Sequence, residues 1–234
     1  MRVIYVIPFL LLTLFLKAQN QLKAIGEWRE QNSFDSIVNI INGDQIYITN
    51  GAEVLGLKDR NFRFGKSTGL HNASIKKIVW NQYNSSIITI YNNNQIDVIK
   101  GDQINAINDI YNTTLYSNKS INDVFVTDFN KALIATDFGI AVADLNQFNI
   151  SETWFPNNQR NQEKTYAALI KGDTLYALTE MGLKYCSLQN HIPNNNWILI
   201  DQYKGCNKMV TNANIMWLSS LTEIFKYPNT TKSI

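Results

Sequence analysis

The chain has 234 residues, of which 45% are apolar and 17% are charged, and its net charge is +2. This composition excludes a disordered chain and predicts a folded protein with a sizeable core. The lysines and arginines are scattered, so the sequence lacks the basic stripe of a nucleic-acid-binding protein.

The beginning of the chain has the pattern of a secretory signal peptide over residues 1–19. Arg2 precedes an apolar run that is shorter than the roughly 18 residues a membrane-spanning helix needs. This favours cleavage near Ala18 and Gln19, with an uncleaved anchor as the alternative. We therefore expect a mature chain, residues 20–234, that is exported to the periplasm or cell surface and has no transmembrane span.

A hairpin of two short strands around a tight turn recurs five times after this segment. In the first four copies the turn lies at Gly51, Asn94, Gly139 and Gly182, at intervals of 43, 45 and 43 residues. A degraded fifth copy is centred on Thr222. Intervals of about 40–45 residues are typical of β-propeller blades. The repeat therefore predicts an all-β propeller.

Each repeat divides into short strands of alternating polarity, separated by Asn, Gly and Asp turns. We predict four complete four-stranded blades and one partial blade, because only three strands can be assigned to the fifth repeat. The predicted blades cover approximately residues 30–70, 71–117, 118–160, 161–204 and 205–234.

The partial blade leaves two architectures open. A segment with Ile25 and Trp28 resembles the outer strands around Trp154 and Trp197, and it could close a five-bladed ring. Alternatively, the chain forms a truncated arc of a seven-bladed propeller, which the degraded fifth repeat and the polar tail favour. An open arc would expose strand edges and a blade face to partners or to aggregation.

The sequence contains no short motif of an enzyme, a cofactor-binding loop or a metal site. We therefore predict no catalytic residue, no cofactor and no metal ion. His71 and His191 are interpreted as exposed loop residues. Four aspartates in the third repeat are interpreted as turn residues rather than as a glycosidase pair. They are Asp123, Asp128, Asp137 and Asp144.

Two cysteines, Cys186 and Cys206, belong to a chain whose export permits disulfides. Sequence cannot test the geometry of a bridge, so a disulfide remains open beside the interpretation as partly buried thiols. Aromatic residues in strands, such as Trp80 and Tyr176, are predicted to belong to the core, with stacking on glycans as the alternative.

Several segments, in order and spacing, resemble the N-terminal propeller of PorZ-type proteins, which are exported by Bacteroidota. They are Ile25 to Glu30, Ile46 to Gly51, Asn94 to Ile104, Asn108 to Ile110, Lys119 to Asp123, Thr136 to Leu145 and Gly172 to Leu183. The resemblance implies a non-enzymatic component of the type IX secretion system at the outer-membrane surface, associated with attachment of cargo. It implies protein partners in that apparatus, and glycan or lipopolysaccharide as a further partner class. It assigns no functional residue, because the chain ends inside the first of the family's two propellers.

The repeats resemble more loosely the periplasmic sensor propellers of hybrid two-component regulators, in particular from Ser67 to Ile75. This second resemblance implies a ligand- or glycan-sensing propeller as the alternative function. A sensor would continue into a transmembrane helix and a kinase, which the sequence lacks. We therefore expect a protein-interaction module that acts by surface complementarity.

Overall fold

The protein is described by a computed structural model that covers residues 33–58, 62–127, 130–212, 215–227 and 232–233. These residues belong to one compact unit and form five small antiparallel sheets, arranged as a five-blade β-propeller. The all-β propeller predicted from the repeat is confirmed. The predicted signal peptide with its cleavage site near Ala18 and Gln19, and the predicted closing strand with Ile25 and Trp28, lie outside the described residues.

The first three sheets each contain four strands in sequential order. Sheet 1 consists of β1 (Asn39–Asn42), β2 (Ile46–Thr49), β3 (Val54–Gly56) and β4 (Arg63–Phe64). Sheet 2 consists of β5 (Ile75–Asn81), β6 (Ser86–Tyr91), β7 (Ile96–Lys100) and β8 (Gln103–Ile107). Sheet 3 consists of β9 (Ile121–Val126), β10 (Lys131–Thr136), β11 (Gly139–Asp144) and β12 (Asn149–Trp154).

Sheets 4 and 5 follow in chain order. Sheet 4 consists of β13 (Thr165–Lys171), β14 (Thr174–Thr179), β15 (Gly182–Gln189), β16 (Ile192–Pro193) and β17 (Ile198–Ile200). Sheet 5 consists of β18 (Lys208–Thr211), β19 (Met216–Ser219), β20 (Ile224–Tyr227) and β21 (Lys232–Ser233). One helical turn, α1 (Asp109–Asn112), and two 3-10 turns, Lys66–Thr68 and Asp201–Tyr203, lie in the connections between sheets.

The fifth sheet differs from the predicted three-stranded blade. The C-terminal tail supplies β21, in which Lys232 lies opposite Phe225 and Ser233 lies opposite Ile224 of β20. A polar tail can form an edge strand because the edge requires only backbone hydrogen bonds and tolerates polar side chains. Sheet 5 therefore contains four strands, one more than the sequence predicted.

The outer strands of sheets 4 and 2 are divided or short. The outer strand of sheet 4 is divided, because β16 and β17 pair with different parts of β15. Pro193 ends β16, as expected for a residue without a backbone donor. In sheet 2 the outer strand β8 ends at Ile107, and α1 follows with a hydrogen bond from the Thr113 N–H to the Asp109 carbonyl.

The hydrophobic core is divided into four clusters, each between neighbouring sheets. Alternating side chains of one strand belong to different clusters. In β13, for example, Leu169 packs toward sheet 5 and Ala168 toward sheet 3. Strand β6 is buried at every position, as expected for a central strand covered on both faces. Sheets 2, 3 and 4 are therefore covered on both faces by their neighbours, whereas sheets 1 and 5 are covered on one.

Candidate functional site

The four predicted turn positions lie at the hairpins between the second and third strands of their sheets. All four have positive φ angles, of 92° at Gly51, 70° at Asn94, 144° at Gly139 and 131° at Gly182. Such angles favour glycine or asparagine, which explains the residue types of the repeat. These four residues therefore have a structural role, which is to allow the tight turn of each hairpin.

His71, interpreted from sequence as an exposed loop residue, contacts a buried carboxylate. Its Nδ1 is 2.8 Å from Asp97 Oδ1, and its backbone N–H donates to Asp97 Oδ2 at 3.0 Å. Tyr91 donates its hydroxyl to the same carboxylate at 2.5 Å. Burial raises the pKa of Tyr91, and its hydrogen bond to Asp97 adds to the increase. These three side chains hold the connection between sheets 1 and 2 against β7, because His71 and the buried Tyr91 hydroxyl both bond to Asp97 of that strand.

The aspartates of sheet 3 take part in local bonds. Asp144 accepts the backbone N–H groups of Asn146 and Gln147, at 2.8 and 3.0 Å, which is the bonding pattern of a turn aspartate. Asp123 forms an ion pair with Lys77 of the preceding sheet. Asp128 lies outside the described residues.

Asp137 and Asn122 form a polar link between sheets 3 and 4. Asn122 donates to Asp137 Oδ1 at 3.0 Å and to the Thr165 carbonyl at 2.8 Å, and Lys164 Nζ lies 3.5 Å from Asp137 Oδ1. Asp137 therefore contributes to an inter-blade contact.

A β-bulge recurs in the first strands of sheets 2, 3 and 4. The register shifts leave Lys76, Asn122 and Tyr166 as the extra residues. Lys76 Nζ donates to the Ile121 carbonyl of the next sheet at 2.6 Å, just as Asn122 donates to Thr165. This repeated link was not predicted from the sequence, although Lys76 lies 18 residues before Asn94 and Asn122 lies 17 residues before Gly139.

The two cysteines are free thiols and both are buried. Cys186 belongs to the cluster between sheets 3 and 4, whereas Cys206 belongs to the cluster between sheets 4 and 5. Burial raises the pKa of the Cys186 thiol to about 12. Burial and the nearby Glu223 carboxylate also raise the pKa of Cys206. Both thiols are therefore poor nucleophiles in the folded chain.

A cavity of about 590 Å³ lies where the turns of sheets 2, 3 and 4 meet. Its polar lining includes Thr127, Asp173 and His191, and its apolar lining includes Phe125 and Ile170. His191 and Asn190, both with positive φ, form the turn between β15 and β16. A neighbouring cavity of about 240 Å³ shares His191 and includes Trp154. Mixed apolar and polar walls of this kind are typical of small-molecule sites.

Sheets 1 and 5 each expose apolar side chains on the face that points away from the core clusters. The exposed face of sheet 1 consists of Val38, Ile40, Ile46 and Leu57, whose exposures range from 46% to 59%. The exposed face of sheet 5 consists of Val210, Trp217 and Ile224, and Val210 is 63% exposed. A shallow groove of about 420 Å³ runs along the exposed face of sheet 5. Contiguous apolar surface of this kind marks an interaction site.

Other chemistry finds no support within the described ranges. These residues contain no group of three or more His, Cys, Asp or Glu side chains arranged to hold a metal ion. None of the helices among the described residues is long and apolar enough to cross a membrane.

Comparison with known proteins identifies a family. The family model described as the N-terminal β-propeller domain of PorZ, of the type IX secretion system, matches residues 46–198. No curated protein matches the sequence.

Several solved structures share the fold. PorZ of Porphyromonas gingivalis, described as an essential surface component of the type IX secretion system, has a TM-score of 0.73 at 15% identity. That match covers 89% of this chain and 29% of PorZ, so the chain spans less than a third of the matched protein.

Two further structures are more distant. The extracellular domain of a protein described as a hybrid two-component system, from B. thetaiotaomicron, has a TM-score of 0.58 at 13% identity, covering 79% of this chain and 26% of that one. The Dos1 propeller has a TM-score of 0.59 at 11% identity, covering 87% of this chain and 59% of that one. These likenesses show the propeller fold.

Proposed function

The chain belongs to the family of N-terminal β-propeller domains of PorZ, and from this membership we propose that it is a non-enzymatic interaction module of type IX secretion. In this proposal it is exported, acts in the periplasm or at the outer-membrane surface, and assists the attachment of cargo to the cell surface. The observation that carries the proposal is the family match over residues 46–198.

We propose that the module works by surface complementarity with proteins of the outer-membrane secretion and attachment apparatus. The exposed faces of sheets 1 and 5 support this mechanism, since both present apolar side chains to solvent. Burial of this apolar surface against a partner would contribute about 25 cal/mol per Å² of hydrophobic free energy to binding. A catalytic role has less support, because His71, Asp123, Asp137 and Asp144 are engaged in structural bonds.

The experiment is co-purification of the tagged chain from a bacterium that has a type IX secretion apparatus. We expect outer-membrane secretion proteins in the eluate. Val210→Asp should reduce their recovery by about tenfold or more, because the contact would bury an unpaired carboxylate. Leu115→Asp is the matched control, because Leu115 is 79% exposed and lies outside both exposed faces. An eluate without these proteins, or equal losses in both variants, would contradict the proposal.

A sensing propeller is the second candidate function. The similarity to the extracellular domain of the two-component system protein and the cavity beside His191 favour it. Saturable binding of a small glycan to the purified chain, weakened by Ile170→Trp in the cavity wall, would support this function. Glycan binding without co-purification of secretion proteins would favour the sensor over the interaction module.

A further inference from the structure

Lysines gather at one end of the first strands of sheets 2, 4 and 5. The first strands of successive sheets approach one another, as expected for strands that surround the central channel of a propeller. Lys76 and Lys77 lie near the start of β5, Lys164 precedes β13, and Lys208 begins β18. These four lysines therefore lie at the same end of the first strands, and we call them the channel lysines.

The channel lysines outnumber the carboxylates paired with them. Lys77 forms an ion pair with Asp123, and Lys164 lies 3.5 Å from Asp137. Lys76 instead donates to the neutral Ile121 carbonyl at 2.6 Å. Lys208 is exposed at the start of its strand. The cluster of four lysines and two aspartates thus carries an excess of two positive charges.

The charge excess is unfavourable for Lys76 in the absence of a counter-ion. Burial lowers the pKa of Lys76, and the positive charges of Lys208, Lys164 and Lys77 lower it further, against the opposing effect of Asp137. Like charges held near one another by rigid strands favour binding of an anion, which would relieve the repulsion.

We propose that the channel lysines form a binding site for a tetrahedral oxyanion of the phosphate class. A dianion matches the excess of two charges, and the compact ammonium groups bind phosphate as point charges. The bulge at Lys76 is part of the repeated link between neighbouring sheets. The sheets therefore fix the position of this lysine. Lys76, Lys77 and Lys164 do not belong to the exposed apolar faces, whereas Lys208 also lines the groove on the exposed face of sheet 5.

The test measures binding of inorganic phosphate and of glycerol phosphate to the purified chain, by calorimetry and by the shift in thermal unfolding, at constant ionic strength. We expect saturable binding in the millimolar range. Lys76→Met and Lys208→Met should each weaken binding by about tenfold. Lys208→Met provides a readout that does not disturb the inter-blade bond of Lys76.

Lys171→Met is the matched control, because Lys171 ends β13 at the opposite end of the channel. Its affinity should stay within about twofold of the unchanged chain. Equal binding of both probes would support a site open to phosphomonoesters, and binding of inorganic phosphate alone would support a site for the free ion. Absence of saturable binding, or equal weakening in Lys171→Met, would overturn the proposal.

Discussion

Two of the turn glycines lie so close to the backbone of a neighbouring strand that no side chain would fit. An added Cβ at Gly139 would lie 2.7 Å from the Trp154 carbonyl oxygen, and one at Gly182 would lie 2.7 Å from the Ile200 carbonyl oxygen. Both residues also have φ angles that L side chains rarely adopt. Two independent costs therefore restrict these positions to glycine.

Gly139→Ala and Gly182→Ala should each lower the free energy of unfolding by about 2–4 kcal/mol, because strain and a backbone clash add together. Denaturant unfolding of the purified variants measures the loss. Gly172→Ala is the control, since its φ is also positive but nothing lies within 4 Å of the added Cβ. It should cost about 1 kcal/mol. Equal losses at all three positions would contradict the steric explanation.

The inter-blade link at Asn122 provides a second prediction for single residues. Asn122→Ala removes the donor to the Thr165 carbonyl and to Asp137, and should destabilise the fold by about 1–3 kcal/mol. Asn196→Ala, at an exposed loop position, should change stability by less than about 0.5 kcal/mol. The same denaturant titration compares them. A neutral Asn122→Ala would show that the link does not contribute.

The buried thiols should be protected from reagents in the native state. At pH 8, a disulfide-exchange reagent should label Cys186 and Cys206 slowly, because burial limits access and raises both pKa values. In concentrated guanidinium chloride both should react at once. Rapid labelling of the native chain would show that at least one thiol is accessible.

For single residues, the features that could be predicted from the sequence are those that depend on local backbone geometry. Gly51 and Asn94 could be aligned because tight turns select particular residue types. The bond between His71 and Asp97 was missed, because it joins residues far apart in the sequence. The bulge residues Lys76 and Asn122 were also missed, since a single extra residue hardly changes a pattern of alternating polarity.

Sheets 4 and 5 meet through a cluster of tyrosines. Tyr176 and Tyr227 lie edge to face with ring centroids 5.9 Å apart, and Tyr203 packs against Tyr227 at 6.1 Å. Burial raises the pKa of all three hydroxyls, and ionised neighbours would raise that of Tyr227 further. The folded state therefore favours the neutral form of each tyrosine.

Stability should fall in alkaline solution. Because these pKa values are higher in the folded than in the unfolded chain, the stabilisation is fully present below a pH of about 10 and is lost as the pH rises through the folded-state values. Unfolding in urea at pH 8 and pH 11 should show a lower free energy at pH 11. Tyr227→Phe should weaken this dependence, and an unchanged dependence would contradict the assignment to this cluster.

Whole strands were predictable where alternation and turn residues coincide, as in β10 and β11. Strands at the outer edges were less predictable, because few side-chain contacts constrain them. Strand β21 arises from the polar tail by pairing with β20, and Pro193 helps to divide the outer strand of sheet 4. Neither effect produces a pattern of hydrophobicity that the sequence could reveal.

For the molecule as a whole, the constant repeat length predicted a propeller because each blade is one supersecondary unit that needs neighbours for burial. The repeat does not specify which surfaces bind partners. The exposed faces of sheets 1 and 5 depend on tertiary packing, because the four core clusters fill the contacts between successive sheets and leave one face of each terminal sheet exposed.

Site-specific photocross-linking tests the proposed interaction module most directly. A photoreactive residue replaces Ile40 in one variant and Val210 in another, with Leu115 as the reference position, in cells that have a type IX secretion apparatus. The account predicts adducts with outer-membrane secretion proteins from Ile40 or Val210 and none from Leu115. Adducts from Leu115 alone, or no adduct with these proteins from any position, would contradict it.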